Sequence, residues 1–297
     1  MYLPTDALIS IYTAHVRSHL DYCDFIFHIP ELLGNFSTNV NLSNLMNKIE
    51  SLQYQAGLAV TGMWQGTNRD RVYEELGWES LHIRRWFRRL TVFYKIIKKL
   101  TPQYLRDPVP SPRSHLYGTS SINDLHPFRC RTQRFQNSFF PDAVKCWNDI
   151  GPDLRKLDSL SIFKSTLTKI IKPKKKNVFN VYNLSLKYLY QLRGGLSSLK
   201  AHKFKHKFDD TPNPTCSCGT AAESTQHFLL NCPVFATHRK KLLEDINPFI
   251  GKLNLNPDDP NFVKILLYGN DSLATHENKA ILESTLTFIN NSGRFSA

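Results

Sequence analysis

Four residues in the last third of the chain carry chemistry in their types and spacing. One residue separates Cys216 from Cys218, eight separate Cys218 from His227, and four separate His227 from Cys232. Three thiols and one imidazole thus fall within 17 residues. Thiolates and neutral imidazole are the donors that zinc takes in a tetrahedron, and a shell closed by four protein ligands leaves no position open for a substrate. The expected role is a structural Zn2+ site. Gly219 follows the second cysteine, where a residue without Cβ turns the chain at no steric cost. His227 and Cys232 are spaced to lie roughly one helical turn apart. The competing reading is four small core residues, a common use of cysteine. Against it, Pro212, Pro214 and Thr215 make the approach polar and rich in turn formers. The Cys-x-Cys pair is tighter than the commoner Cys-x-x-Cys, so spacing alone does not decide.

Charge supplies the second signal. The 297 residues contain 38 Lys+Arg and 25 Asp+Glu, a formal net charge of +13. Residues 81–207 hold 27 of the bases and 6 of the acids, whereas residues 1–80 have 4 against 9 and residues 208–297 have 7 against 10. Such asymmetry points to a polyanion, RNA and/or DNA before a membrane surface, because clustered Lys and Arg neutralise phosphates. A solvated face of ordinary helices is the alternative. There is no run of 18 apolar residues, and the opening residues lack a basic n-region and a cleavage site. The expectation is an intracellular protein, cytoplasmic and/or nuclear, with reduced thiols. Cys23, Cys130 and Cys146 then read as isolated neutral thiols.

The positioning elements follow from periodicity. Residues 5–28 place Leu8, Ile9, Tyr12, Val16, Leu20 and Cys23 at helical steps. His15, His19 and Cys23 share one face there, a row read as packing rather than metal binding. A second helix runs over about 42–61 and ends at Gly62. Asn68 or Thr67 caps a short helix to Leu76, Gly77 breaks it, and Ser80 leads into a long helix to about Leu100. That helix carries Arg84, Arg85, Arg88, Arg89, Lys95, Lys98 and Lys99 with no acid among them. Like charges at these spacings repel unless an anion lies alongside, so the helix is the leading candidate for contact with a nucleic-acid backbone.

Pro102, Pro108, Pro110 and Pro112 mark a linker over 101–127. A basic stretch with Arg131 and Arg134 follows, then a helix holding Ala143, Val144 and Trp147. Another helix runs through Ile171, directly before Lys172, Lys174, Lys175 and Lys176. Residues 182–207 begin helix-like and end in alternating Lys203, Phe204, Lys205, His206 and Lys207. On an extended chain this would put cations on one face and rings on the other, a form suited to stacking on bases, although it equally suits a half-buried strand. Two more helices close the chain. The expected fold is mainly α: a helical bundle over 1–100, the linker over 101–127, a basic helical region over 128–200, a metal module over 201–240 and C-terminal helices over 241–297.

Several strings resemble the region C-terminal to the catalytic core in non-LTR (LINE-type) retrotransposon reverse transcriptases of the jockey and chicken-repeat kind. They are YTAHVRSHLDYCD, IESLQYQAGLAVTG, YEELGWESLHIRRWFRRLTVFYKI, RTQRFQNSFFPDAVKCWNDI, SIFKSTL and the cysteine–histidine cluster. The resemblance covers most of the chain. It implies a thumb-like bundle in the first 100 residues, a linker, and a zinc knuckle at Cys216, Cys218, His227 and Cys232 that helps hold template RNA or target DNA. The family's RNA-directed DNA polymerase needs a palm with a Tyr-x-Asp-Asp-like pair of carboxylates for two metal ions, and this sequence contains no such motif. The expectation is therefore a nucleic-acid-binding portion that does not synthesise DNA alone, either part of a longer reverse transcriptase or a truncated relic. Asp258 and Asp271 copy the spacing of a restriction-like nuclease motif, but PDDPN reads as turn chemistry.

Overall fold

Cap residues at the ends of helical segments set the element boundaries in the computed structural model, which describes residues 3–27, 44–113, 124–171, 185–253, 259 and 261–295. The chain runs through α1 (Thr5–Ile11), a π-helical turn at Tyr12–Arg17, α2 (Ser18–Asp21), α3 (Asp24–Phe27) and α4 (Asn44–Thr61). Next come α5 (Arg69–Leu76), α6 (Leu81–Ile97), α7 (Gln133–Gln136), α8 (Phe139–Asp149), α9 (Pro152–Arg155) and α10 (Leu160–Ile171). The last are α11 (Leu186–Gly194), α12 (Lys200–Lys205), α13 (Ala236–Ile250), α14 (Phe262–Tyr268) and α15 (Thr275–Asn291). The protein is mainly α; two isolated antiparallel bridges, Pro112–Leu125 and Thr215–Ala222, are the extended pairings among the described residues. No helix among them is long and apolar enough to cross a membrane.

The caps act as their chemistry dictates. Asn68 Oδ1 accepts from the amides of Asp70 at 2.8 Å and Arg71 at 3.4 Å, starting α5, and Gly77 ends it at φ 63°, a left-handed conformation that glycine adopts freely. Ser80 Oγ accepts from Ile83 N at 3.3 Å and starts α6.

Two compact units result. One comprises residues 12–53 and 78–173, the other residues 1–11, 54–77 and 174–297. The boundaries expected at 100 and 127 fall inside the first unit, and those at 200 and 240 fall inside the second.

In the first unit, α6, α8 and α10 share a core of Leu90, Phe93, Tyr94, Val144, Trp147 and Phe163. Tyr94 stacks on Phe163 with ring centroids 4.4 Å apart, and Phe93 meets Trp147 edge-on at 5.8 Å. Tyr94 is thus a packing group, closed to any base. Leu125, near the end of the expected linker, lies in the same core.

Arg84, Arg88, Arg89 and Lys98 find anions within the protein, which corrects the expectation for these four residues. Arg89 is 0% exposed and pairs with Asp142 of α8, itself 6% exposed. Arg85 is buried, with Nη1 3.1 Å from Met46 Sδ. Arg84 sets its fork on Asp21, at 2.7 and 2.6 Å. Arg88 reaches Asp21 at 3.2 Å and Asp24 at 3.4 Å. Lys98 pairs with Asp158 at 2.6 Å. Lys95 is half-buried and Lys99 is exposed. Arg85 and Arg89 cannot reach a phosphate, and Arg84 and Arg88 already have carboxylates. Asp21 and Asp24, from the acid-rich first 80 residues, answer Arg84 and Arg88.

In the second unit, α11, α13, α14 and α15 enclose Leu189, Leu192, Phe228, Leu242, Leu266 and Leu286. Cys216 and Cys232 lie in that same core. The buried Arg193 donates to Glu75 at 2.8 Å and to the Leu267 carbonyl at 2.7 Å, tying residues 54–77 to the C-terminal helices.

Removing one partner of a buried ion pair strands the other charge in a low-dielectric interior, at a cost of about 3–5 kcal/mol. Arg89→Met should destabilise the first unit by that amount in urea unfolding. Pairing it with Asp142→Leu should recover most of the loss, because no uncompensated charge then remains.

Candidate metal centre and basic surface

A short hairpin presents the first two cysteines. Asn213 Oδ1 accepts from Thr215 N at 3.1 Å to begin it, and Cys216 N donates to Ala221 O at 2.9 Å across the Thr215–Ala222 bridge. The tip closes with Gly219 N donating to Cys216 O at 2.9 Å. Gly219 has φ +76° and open space where a Cβ would stand, so the turn needs glycine for its backbone conformation rather than for room.

The other two ligands bracket a π-helical turn, His227–Asn231, and Cys232 N donates to His227 O at 2.7 Å. Phe228 and Leu229 in this turn are fully buried. Arg239 of α13 donates to the carbonyls of Leu229 at 2.8 Å and Cys232 at 2.7 Å, satisfying acceptors left over at the turn's end.

These elements bring the sulfurs of Cys216, Cys218 and Cys232 and a ring nitrogen of His227 within 4.8 Å of one another. The Cys216 and Cys232 sulfurs are 3.7 Å apart, and Cys218 Sγ lies 3.2 Å from His227 Nε2. In a tetrahedron with metal–sulfur bonds near 2.3 Å, neighbouring ligand atoms stand about 3.8 Å apart. The four side chains can therefore hold a metal ion, and they leave no vertex for a substrate. The thiols differ in surroundings. The Thr220 hydroxyl, 3.1 Å from Cys218 Sγ, helps bring that thiol down to about 6, whereas burial pushes Cys232 up to about 11.

The hairpin is braced on both sides. Glu223 takes the Arg294 guanidinium side-on, at 2.6 and 2.8 Å, and accepts from Lys200 N at 2.8 Å. His202 of α12 spans Ser197 Oγ at 2.8 Å and Thr225 Oγ1 at 3.2 Å. Burial, then repulsion from the neighbouring basic side chains, brings its pKa down to about 4, so it stays neutral.

Other expected site residues fall elsewhere. The alternating stretch from Lys203 to Lys207 is neither extended nor a strand: α12 continues to Lys205 and His206 caps it. Helical spacing scatters alternating residues around the axis, so the expected two-faced ribbon does not form. Lys203 pairs with Asp210, whereas Lys205 and Lys207 are exposed. Arg131 and Arg134 are exposed in the first unit. Lys172, Lys174, Lys175, Lys176 and Asp258 lie outside the described residues, and Asp271 is exposed. The row of His15, His19 and Cys23 is interrupted by the π-helical turn and by a left-handed Cys23 at φ 51°. Among the described residues, the Cys216 group is the one cluster of potential ligands that comes together.

Sequence reasoning missed Asp21, Asp142 and Asp158 as partners of the cations. The excess of acids in residues 1–80 was a usable signal for Asp21. Comparison of the chain with protein-family models, with curated proteins and with solved structures finds no match.

The purified chain should carry one metal ion by elemental analysis. Cys232→Ser should abolish loading and lower Tm by several degrees, since binding energy at such a site is folding energy. His202 gives a pH signature. Above its ordinary value of 6.5 neither state is protonated, so it has no effect on stability. Between pH 6.5 and about 4 the unfolded chain takes a proton that the folded one refuses, so stability falls as pH drops. His202→Gln should lose that part of the pH dependence in calorimetry.

Proposed function

We propose that this chain binds nucleic acid as the C-terminal portion of a non-LTR retrotransposon RNA-directed DNA polymerase, and that its four-ligand centre holds structural zinc. The observation that carries the reading is the convergence of Cys216, Cys218, His227 and Cys232 on one point. These are the residues that the resemblance implies as a zinc knuckle. Three sulfurs and one nitrogen within 4.8 Å of one another suit Zn2+, whereas hard cations such as Mg2+ and Ca2+ take oxygen ligands.

Zinc would link the hairpin to the π-helical turn and neutralise thiolates that burial otherwise disfavours. The chain's own residues do the rest. Arg239 closes the carbonyls beside Cys232, Glu223 and Arg294 join the hairpin to the C-terminal residues, and Cys216, His227 and Cys232 are buried. Catalysis is not part of the proposal. The cations left for phosphates are those that the fold leaves exposed, Arg131, Arg134, Lys99, Lys205 and Lys207, joined by the half-buried Lys95 and by the lysines at 172 to 176. RNA and DNA are both candidate partners, as is the remainder of a reverse transcriptase.

Each neutralised phosphate releases counterions, so affinity should fall steeply with salt. Filter binding of single-stranded RNA and DNA should weaken by at least about tenfold between 50 and 200 mM salt. Arg131→Gln with Arg134→Gln should flatten that slope, while Arg89→Met should leave the slope of its folded fraction unchanged. Salt-independent binding, or none, would refute the proposal.

A further inference from the structure

Residues 204–212 form an open cleft of about 560 Å³ lined by Phe204, Lys205, Lys207, Phe208, Asp209 and Pro212, among others. Two large rings stay partly in water there: Phe204 is 46% exposed and Phe208 is 37% exposed. Phe208 is held from behind by Trp64, with ring centroids 5.8 Å apart, and Lys203 lies over its ring at 6.0 Å.

Lys207 is one of three described non-glycine residues with positive φ, at 57°. It occupies the left-handed position just past the helix end, and Phe208 N donates back to Lys203 O at 3.1 Å. This closing motif ordinarily places glycine there, because a side chain in that conformation is strained. Here a lysine stands in the strained position, on the wall of the cleft. The segment also balances in favour of an anion. Lys203 occupies Asp210, and of the charges lining the cleft Lys205 and Lys207 face a single carboxylate, Asp209.

We infer that this cleft binds single-stranded nucleic acid, with an unpaired base stacked on Phe204 beside the wall that Phe208 forms and the flanking phosphates met by Lys205 and Lys207. The inference rests on the nucleic-acid reading above and names the strand form and the contact point. Every base offers a π-face, so recognition is tolerant of sequence; bases in a duplex are already stacked and cannot enter. The metal hairpin holds the cleft in place. Ala201 N of α12 donates to Glu223 O at 3.3 Å, and His202 is fixed against Thr225 beside it.

The test is fluorescence anisotropy on the full zinc-loaded chain. The probes are labelled oligo-U and oligo-dT of about 15 nucleotides, the same strands with abasic spacers, and a blunt duplex of equal length. Phe204→Ala should weaken both single-stranded probes about tenfold and leave the duplex within about twofold. Abasic strands should bind the native chain as weakly as intact strands bind that variant. Phe204→Trp should keep affinity, and bound oligonucleotide should quench its fluorescence. Lys207→Gly relieves the strained backbone, so it should weaken binding without lowering Tm, which separates lost contact from lost folding. A preference for RNA over DNA would add a contact to the 2′-hydroxyl, and equal affinity would confine the contacts to base and phosphate; either agrees with the cleft. Full affinity of Phe204→Ala, or of abasic strands for the native chain, would overturn the inference. If Arg131→Gln with Arg134→Gln then weakened binding, the nucleic-acid reading would survive without this cleft. No binding of any probe by the native chain would remove both.

Discussion

A guanidinium taken out of water is held most strongly by a carboxylate, because the desolvation cost of an unpaired charge is several kcal/mol. That constraint runs through both units. Arg89 meets Asp142 across the α6–α8 contact, Arg193 meets Glu75, and Arg294 meets Glu223. Each pair joins residues at least 53 positions apart, so each fixes which segments can be neighbours as well as how they pack. The same constraint decides which cations remain available. A helix that carries seven bases and no acid becomes, once folded, largely a set of internal ion pairs.

The four-ligand centre obeys a related rule. Cys216 and Cys232 sit in the apolar core of their unit, where a bare thiolate is unfavourable. A bound metal ion would resolve that conflict by supplying positive charge beside the two buried sulfurs. It would hold the hairpin, the π-helical turn and α13 at one point, and α12 is held to the hairpin through Glu223 and Thr225. The metal module is continuous with the C-terminal helices, since Phe228, Leu242, Leu286 and Phe295 share its core.

Much of this was legible in the sequence. The cap at Asn68 or Thr67, the Gly77 stop and the apolar periodicity of the long helix marked α5 and α6, because capping and amphipathicity are local properties. The ligand set was legible for the same reason, as its four members lie within 17 residues. Alternation from Lys203 to Lys207 misled, because a period of two is weak evidence over so short a run and the hydrogen bonds of α12 and its cap prevailed.

Sequence by itself determined the helical class, the start of α5, its stop at Gly77 and the four candidate metal ligands, whereas α6 ends at Ile97 rather than at about Leu100. Each depends on hydrogen bonds, periodicity or donors close along the chain. Only the tertiary structure decided that Arg84, Arg88 and Arg89 face carboxylates of the protein itself, that residues 54–77 belong with the C-terminal helices, and that Phe204 and Phe208 flank an open cleft. The physical reason is common to all three. A charge or ring is spent or left free according to what lies beside it in space, and those neighbours come from distant parts of the chain.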